Sequence, residues 1–313
     1  MLVDTPGLHH VTGIVRDAQR TVDFYTGVLG LRLVKQTVNL TDILTRHLFF
    51  GDETGSPGTV LTFFPYPAEE DGRVGRPQVS TVSLAIPPGT TDTWRERLAA
   101  RDIDTDGPFQ RFDETVVRCR GPDGTQLELV TAESPVEPWA GGSVPSQHAI
   151  RGIHGVTLLS SSIYVTASVL ETLGFERFDQ EGDRIRYRSG GDRARVIDLL
   201  DSDVGFGREG AGSFHHVALR VPETEHLYEW HDLFRERGYD VSRVKDRHFF
   251  HSLYVREPGG ILFELATDGS GFVAPDGDNP GHRLYLPPWL EEDRQMIEGQ
   301  LPPLAVDHDL PSQ

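Results

Sequence analysis

The chain predicts an α+β fold assembled from four copies of one βαβββ module. Three observations carry this expectation. An alternating apolar strand, an amphipathic helix and further strands with turn signals between them recur four times along the 313 residues. Gly121-Pro122-Asp123-Gly124-Thr125-Gln126-Leu127-Glu128-Leu129 overlays Glu257-Pro258-Gly259-Gly260-Ile261-Leu262-Phe263-Glu264-Leu265, each a Pro-Gly turn feeding a strand with Glu at one position. Leu8-His9-His10-Val11 and Phe214-His215-His216-Val217 are near-copies of one strand opening.

The first module runs from Gly7 to about Pro67, with a strand Leu8 to Val15, a helix Arg20 to Leu29 and a last strand Val60 to Phe64. The second opens at Val79-Ser80-Thr81-Val82-Ser83-Leu84, continues through a helix Thr91 to Arg101 and closes at Leu127-Glu128-Leu129. The third opens at Ile153-His154-Gly155-Val156-Thr157 and closes near Val196-Ile197-Asp198-Leu199; the fourth runs from Phe214 to Glu264. Residues 1–133 thus hold modules one and two, 151–270 modules three and four. The Pro-, Gly- and Ser-rich 134–150 reads as an exposed linker, and 271–313 as a tail with a short helix near Leu290 to Glu298.

Composition narrows the function. A net charge of -18 repels phosphate backbones and anionic lipid, so neither nucleic acid nor a membrane is an expected partner. No apolar stretch approaches membrane-spanning length, and Met1-Leu2-Val3-Asp4 lacks a basic, apolar leader. Cys119 is the single cysteine, which fits a reducing cytoplasm and leaves no disulfide framework.

The two His-His openings and Glu264 point to a mononuclear metal site. Two imidazoles and a carboxylate suit divalent iron or manganese with free coordination positions. Strand residues alternate between faces, so His9 and His10 cannot both point inward, nor can His215 and His216. Val11 and Val217 lie on the face opposite His10 and His216 and can pack under the helices. His154 aligns with His9 and His215, Gly155 stands at the ligand position of module three, and Ser80 at that of module two. Glu128 is then a structural relic. Because the candidate ligands come from modules one and four, those two must pair around the metal, leaving two and three to pair around a vacant site. His47, His248 and His251 are reserve ligands. Closing a three-residue loop between Glu257 and Ile261 sets Tyr254 opposite Glu264.

With Asp246-Arg247-His248-Phe249-Phe250, Arg256-Glu257-Pro258-Gly259-Gly260, Phe263-Glu264-Leu265-Ala266-Thr267 and Leu286-Pro287-Pro288-Trp289-Leu290 in this order, the chain resembles the vicinal oxygen chelate, or glyoxalase-like, superfamily. Within it the likeness is to ring-cleaving dioxygenases that open hydroquinones and related diphenols. The resemblance implies two half-open mixed-sheet barrels, with metal ligands at His10, His216 and Glu264. It places Thr12, His215, Arg247 and Tyr254 near the substrate, with catalytic roles expected for His215, Arg247 and Tyr254; His9, His248 and Phe250 are further expected substrate contacts. Phe249 and Phe63 are further candidates for an apolar wall around the ring. The cofactor expected is Fe(II), with Mn(II) as substitute, and the partners are a small aromatic substrate and O2; homo-oligomerisation is left open. Two alternatives are a metal-dependent isomerase or lyase and a metal-free small-molecule binder. The isomerase needs a fourth carboxylate, for which Thr62 to Phe64 offers no Glu.

Overall fold

A computed structural model describes residues 2–269, 272 and 281–306. In the first repeat β1 (Leu8–Val15) leads to α1 (Ala18–Val22), whose first turn is closed by the Asp17 carboxylate accepting from the Arg20 amide. The helix then widens into a π turn, Asp23–Val28, in place of the α-helix expected to Leu29. The wider turn rotates less per residue, so neighbouring Phe24 and Tyr25 are both buried, Tyr25 against Phe50 and Phe63. The repeat ends in β2 (Arg32–Asn39), β3 (Asp42–Gly51) and β4 (Val60–Pro65). The second comprises β5 (Gln78–Ile86), α2 (Thr91–Ala99), β6 (Thr105–Arg111), β7 (Glu114–Arg120) and β8 (Gln126–Thr131). The third comprises β9 (Ile153–Leu159), α3 (Ile163–Thr172), β10 (Glu176–Glu181), β11 (Arg184–Arg188) and β12 (Val196–Leu200).

The fourth repeat has β13 (Phe214–Val221), α4 (Thr224–Glu236), β16 (His251–Arg256) and β17 (Leu262–Thr267), with two fragments, β14 (Asp240–Val241) and β15 (Lys245–Asp246), between helix and β16. Breaking that strand frees 247–250 to turn over the sheet.

In every repeat the first and last strands pair in parallel. One sheet runs β14-β16-β17-β13-β1-β4-β3-β2, and the other β10-β11-β12-β9-β5-β8-β7-β6. Their seams are the antiparallel pairs β1–β13 and β5–β9, so repeat one closes onto four and repeat two onto three. Val11, Val217, Phe263 and Leu265 face a continuous apolar core that also takes in Trp94 of α2 and Trp230 of α4. No helix among the described residues is long and apolar enough to cross a membrane.

Three sequence expectations change here. Segment 134–150 is irregular yet not simply exposed, because Val136 and Val144 are buried and Val144 closes over Gly30. The tail helix is a 3-10 turn, Pro288–Asp293, continuing into α5 (Arg294–Gln300), and the tail lies along β2, with the Tyr285 amide donating to the Gln36 carbonyl. Residues 271, 273–280 and 307–313 of the tail lie outside the described residues. The pairing Ser83↔Glu128 repeats Ala218↔Glu264, so Thr81, not Ser80, occupies the ligand position of repeat two.

The second half-barrel, expected to hold no metal, sets arginines against its buried carboxylates. Arg111 grips Glu128 with two nitrogens at 2.7 and 2.8 Å, and Ser83 donates to the same carboxylate. Arg186 forks onto Asp198 and also donates to Glu114, which lies 3.1 Å from the His154 ring. Burial would raise the Glu128 and Glu114 carboxyls. Arg111 on Glu128, and His154 with Arg186 on Glu114, instead hold each at about 2. Guanidinium is the partner that keeps buried Glu128 ionised.

Candidate metal centre

His10, His216 and Glu264 converge at the seam of the first sheet. The register explains how. Thr12 faces His216 across β1–β13, His10 faces Ala218, and Ala218 pairs with Glu264 on β17, so the three side chains share one face. The Pro258-Gly259-Gly260 turn fixes the last strand: the buried Glu257 carboxylate accepts from the Gly259 and Ile261 amides and from Thr166. Gly260 there has a φ of +94°, which side-chain-bearing residues rarely adopt. The closed turn pairs Tyr254 with Glu264.

One donor atom from each of the three residues lies within 4.8 Å of the others, the only such group of ligand-type side chains among the described residues. Both imidazoles bring Nε2 to the same carboxylate oxygen, at 3.1 Å for His10 and 3.0 Å for His216. Neither Glu264 oxygen is engaged in a hydrogen bond, although the residue is fully buried. An orphaned buried carboxylate with two imidazole nitrogens aimed at the same space fits a divalent cation better than an ion pair. Burial alone would raise the Glu264 carboxyl, but His10 and His216 hold it well below its ordinary range. Burial lowers His216 to about 4, against the opposing pull of Glu264. The His216 imidazole is therefore neutral near pH 7, as a metal ligand must be.

The paired histidines have a second consequence. The β1–β13 register shifts between Leu8 and His10 and between Thr12 and Gly13, which makes His9 and His215 the extra residues of two β-bulges. Each bulge swings the earlier ring beside its neighbour: His9 Nδ1 lies 2.9 Å from His10 Nδ1, and His215 Nδ1 lies 2.7 Å from His216 Nδ1. Each imidazole of the triad thus has its Nδ1 held and its Nε2 directed at Glu264.

A cleft of about 540 Å³, mouth included, opens onto this triad. It brings together His10, Thr12, His216, Arg247, Phe250, Tyr254 and Glu264. His9 is not on it; its ring packs behind, against Phe250 and Phe272. His215 opens instead on a side groove shared with Arg247, Tyr254 and Lys245. His248 also stays out of the cleft, holding the tail through a 2.8 Å hydrogen bond between Nε2 and the Tyr285 hydroxyl. Phe63 does not line it either. Strand alternation turns Phe63 into the core and Thr62 and Phe64 toward the cleft side. Sequence reasoning passed over Thr37, Asn39 and Thr62 and kept His47 only as a reserve ligand; the alternation of β2, β3 and β4 was the available signal. Thr62 Oγ1 links Thr12 Oγ1 and His47 Nε2, each at 2.8 Å.

Comparison with known proteins places this geometry. Residues 7–129 and 170–265 match the family model of the Glyoxalase/Bleomycin resistance protein/Dioxygenase superfamily. The chain belongs to this superfamily. Among its relatives, MhqO of Bacillus subtilis (strain 168), provisionally named a ring-cleaving dioxygenase, is 43% identical over 98% of this chain and 99% of its own. The chlorohydroquinone/hydroquinone 1,2-dioxygenase of Sphingobium indicum is 34% identical over 91% of this chain and 92% of its own. A crystal structure of a provisionally named Bacillus subtilis dioxygenase superposes with a TM-score of 0.93 at 44% identity, covering 97% of this chain and 99% of that one. The two half-open mixed sheets are the superfamily's glyoxalase-type fold.

Proposed function

We propose that this chain is a ring-cleaving dioxygenase that opens a hydroquinone or related diphenol with O2 at Fe(II) held by His10, His216 and Glu264, Mn(II) being the substitute ion. The observation that carries this reading is the ligand count. Thr62 stands in repeat one where Glu264 stands in repeat four, since Thr12↔Thr62 repeats Ala218↔Glu264. Three protein ligands leave room for both a substrate oxygen and O2, whereas a fourth carboxylate would complete the set of an isomerase. The relatives named for ring cleavage and for hydroquinone support the substrate class. A metal-free binder would have no use for the orphaned carboxylate.

Bound Fe(II) supplies the one-electron chemistry by which ground-state dioxygen can react with a ring whose electrons are paired. The side chains do the rest. The Tyr254 ring stands edge-on to His216 at 5.3 Å, and burial, reinforced by Glu264, pushes its phenol far up. It therefore remains protonated and donates a hydrogen bond to the substrate oxygen. Arg247 lies with its guanidinium 5.3 Å from the Tyr254 ring and supplies positive charge for a phenolate. Burial lowers the pKa of His215, leaving it neutral; with its Nδ1 accepting from His216, its proton sits on Nε2, from which it can be donated as a general acid. Phe49, Phe64, Phe249 and Phe250 form apolar walls for a flat ring.

The test is anaerobic reconstitution with Fe(II), metal analysis, and oxygen uptake against catechols and hydroquinones. We expect one metal per chain and uptake with a para-diphenol, and loss of both in Glu264→Ala. Stoichiometric iron in that variant would overturn the ligand set; uptake persisting after complete chelation would overturn the metal-dependent reading.

A further inference from the structure

Thr37 and His47 sit directly across from each other on β2 and β3, and both line the cleft. Neither belongs to the metal centre. Thr37 is 4% exposed, and its Oγ1 has no hydrogen-bond partner. A buried hydroxyl left unpaired costs roughly 1–3 kcal/mol, so a valine of nearly the same shape would serve better if the position were only structural. His47 packs against Phe49 and Phe64, with ring centroids 4.1 and 4.3 Å away. Its one hydrogen bond among the described residues runs from Nε2 to Thr62. Nδ1 is left without a partner on a ring that faces the cleft. Burial, together with His10 and His216, keeps this imidazole neutral.

A chain of contacts links His47 to the candidate metal centre. His47 reaches Thr62, Thr62 reaches Thr12, and Thr12 Oγ1 lies 3.0 Å from His216 Nε2, so two threonine hydroxyls separate His47 from the metal ligand. Tyr254, by contrast, pairs with Glu264 and serves the metal end. A catechol presents both oxygens to one end of the ring. A para-diphenol bound through one oxygen carries its other to the far end, where an apolar wall alone would strip it of water without replacement.

We propose that Thr37 and His47 form a polar subsite that receives the substrate oxygen remote from the metal, and thereby favour para-diphenols. The assignment rests on the dioxygenase reading for its substrate class, but it is tested by binding alone. The probes are 1,4-hydroquinone and 4-methylphenol, which differ in whether the remote group carries oxygen. Each is titrated calorimetrically, without oxygen, into Fe(II)-loaded wild type, Thr37→Val and Thr37→Ser. Wild type should bind hydroquinone the more tightly. Thr37→Val should raise the Kd of hydroquinone about tenfold and leave that of 4-methylphenol unchanged, while Thr37→Ser, which restores the hydroxyl, should remain near wild type. His47→Phe should weaken hydroquinone selectively in the same way.

Equal weakening of both phenols in Thr37→Val, or no weakening of either, would overturn the subsite. So would a wild type that does not distinguish the two. Selective binding through Thr37 in a protein that consumes no oxygen with any diphenol would uphold the subsite and bring down the dioxygenase reading. Turnover without that selectivity would do the reverse.

Discussion

His9 and His215 carry the residue-scale argument. Strict alternation assigns such residues to the face away from the ligands, and their side chains would then do nothing for the metal. The β-bulges alter that outcome by turning each ring beside its neighbour's Nδ1. A hydrogen bond on Nδ1 fixes the tautomer that exposes Nε2, and loss of such a partner typically weakens metal binding by about 10–100-fold. His9→Phe keeps an aromatic ring against Phe250 and Phe272 and removes only this partner. We expect its Fe(II) affinity, measured by competition with a chelator, to fall within that range while circular dichroism remains unchanged. Unaltered affinity would make His9 a packing residue. The doublets were visible from the residues alone; what each second ring does was not, because a bulge depends on the partner strand.

Strand β2 shows the same division at the scale of an element. Its alternation indicates which residues face inward, yet it places a lysine among them. Lys35 is 2% exposed, and its Nζ makes no hydrogen bond. The ammonium rests 3.1 Å from the centre of the Phe249 ring, with Phe272 and Tyr285 beyond, a cation–π contact that offsets only part of its desolvation. Burial pulls it from 10.5 to about 7. Between those values the unfolded chain binds the extra proton, so stability rises with pH across that window and the full penalty applies below it. Lys35→Met should therefore stabilise the fold by on the order of 2 kcal/mol at pH 6, raising Tm by roughly 3–6 °C. The gain should shrink toward pH 10. A Tm difference independent of pH would show that Lys35 is not held neutral by burial.

For the whole molecule, the two half-barrels are alike in topology and opposite in chemistry. One sets a buried carboxylate against two imidazoles, those of His10 and His216; the other locks its carboxylates with arginine. Arg111→Met should leave Glu128 buried with only Arg118 and Ser83, destabilising the fold by about 3 kcal/mol in chemical denaturation. Adding Glu128→Leu should recover most of that loss, since a matched apolar pair needs no counter-charge. The acid response follows from the same groups. With Glu128 and Glu114 held at about 2 against an ordinary 4.5, their contribution is complete above 4.5 and is lost as pH falls toward 2. Wild type should lose stability steeply across that interval, and the double variant less so.

What the residues determined by themselves is local and repetitive. The strand-helix-strand period marks the four modules, and the Pro-Gly turns mark where Glu128 and Glu264 enter their last strands. The spacing around Pro258-Gly259-Gly260 is enough to set Tyr254 opposite Glu264, because a closed three-residue turn leaves no freedom of register. The tertiary structure decided everything that depends on a second strand or a second module. It turned Phe64 rather than Phe63 toward the cleft, made bulges of His9 and His215, paired the carboxylates of the second half-barrel with arginine, and set Thr37 beside His47. A hydrophobic period shows that a residue is buried but not what faces it. In a sheet closed across modules distant in sequence, those facing groups are supplied by pairing that no local pattern encodes.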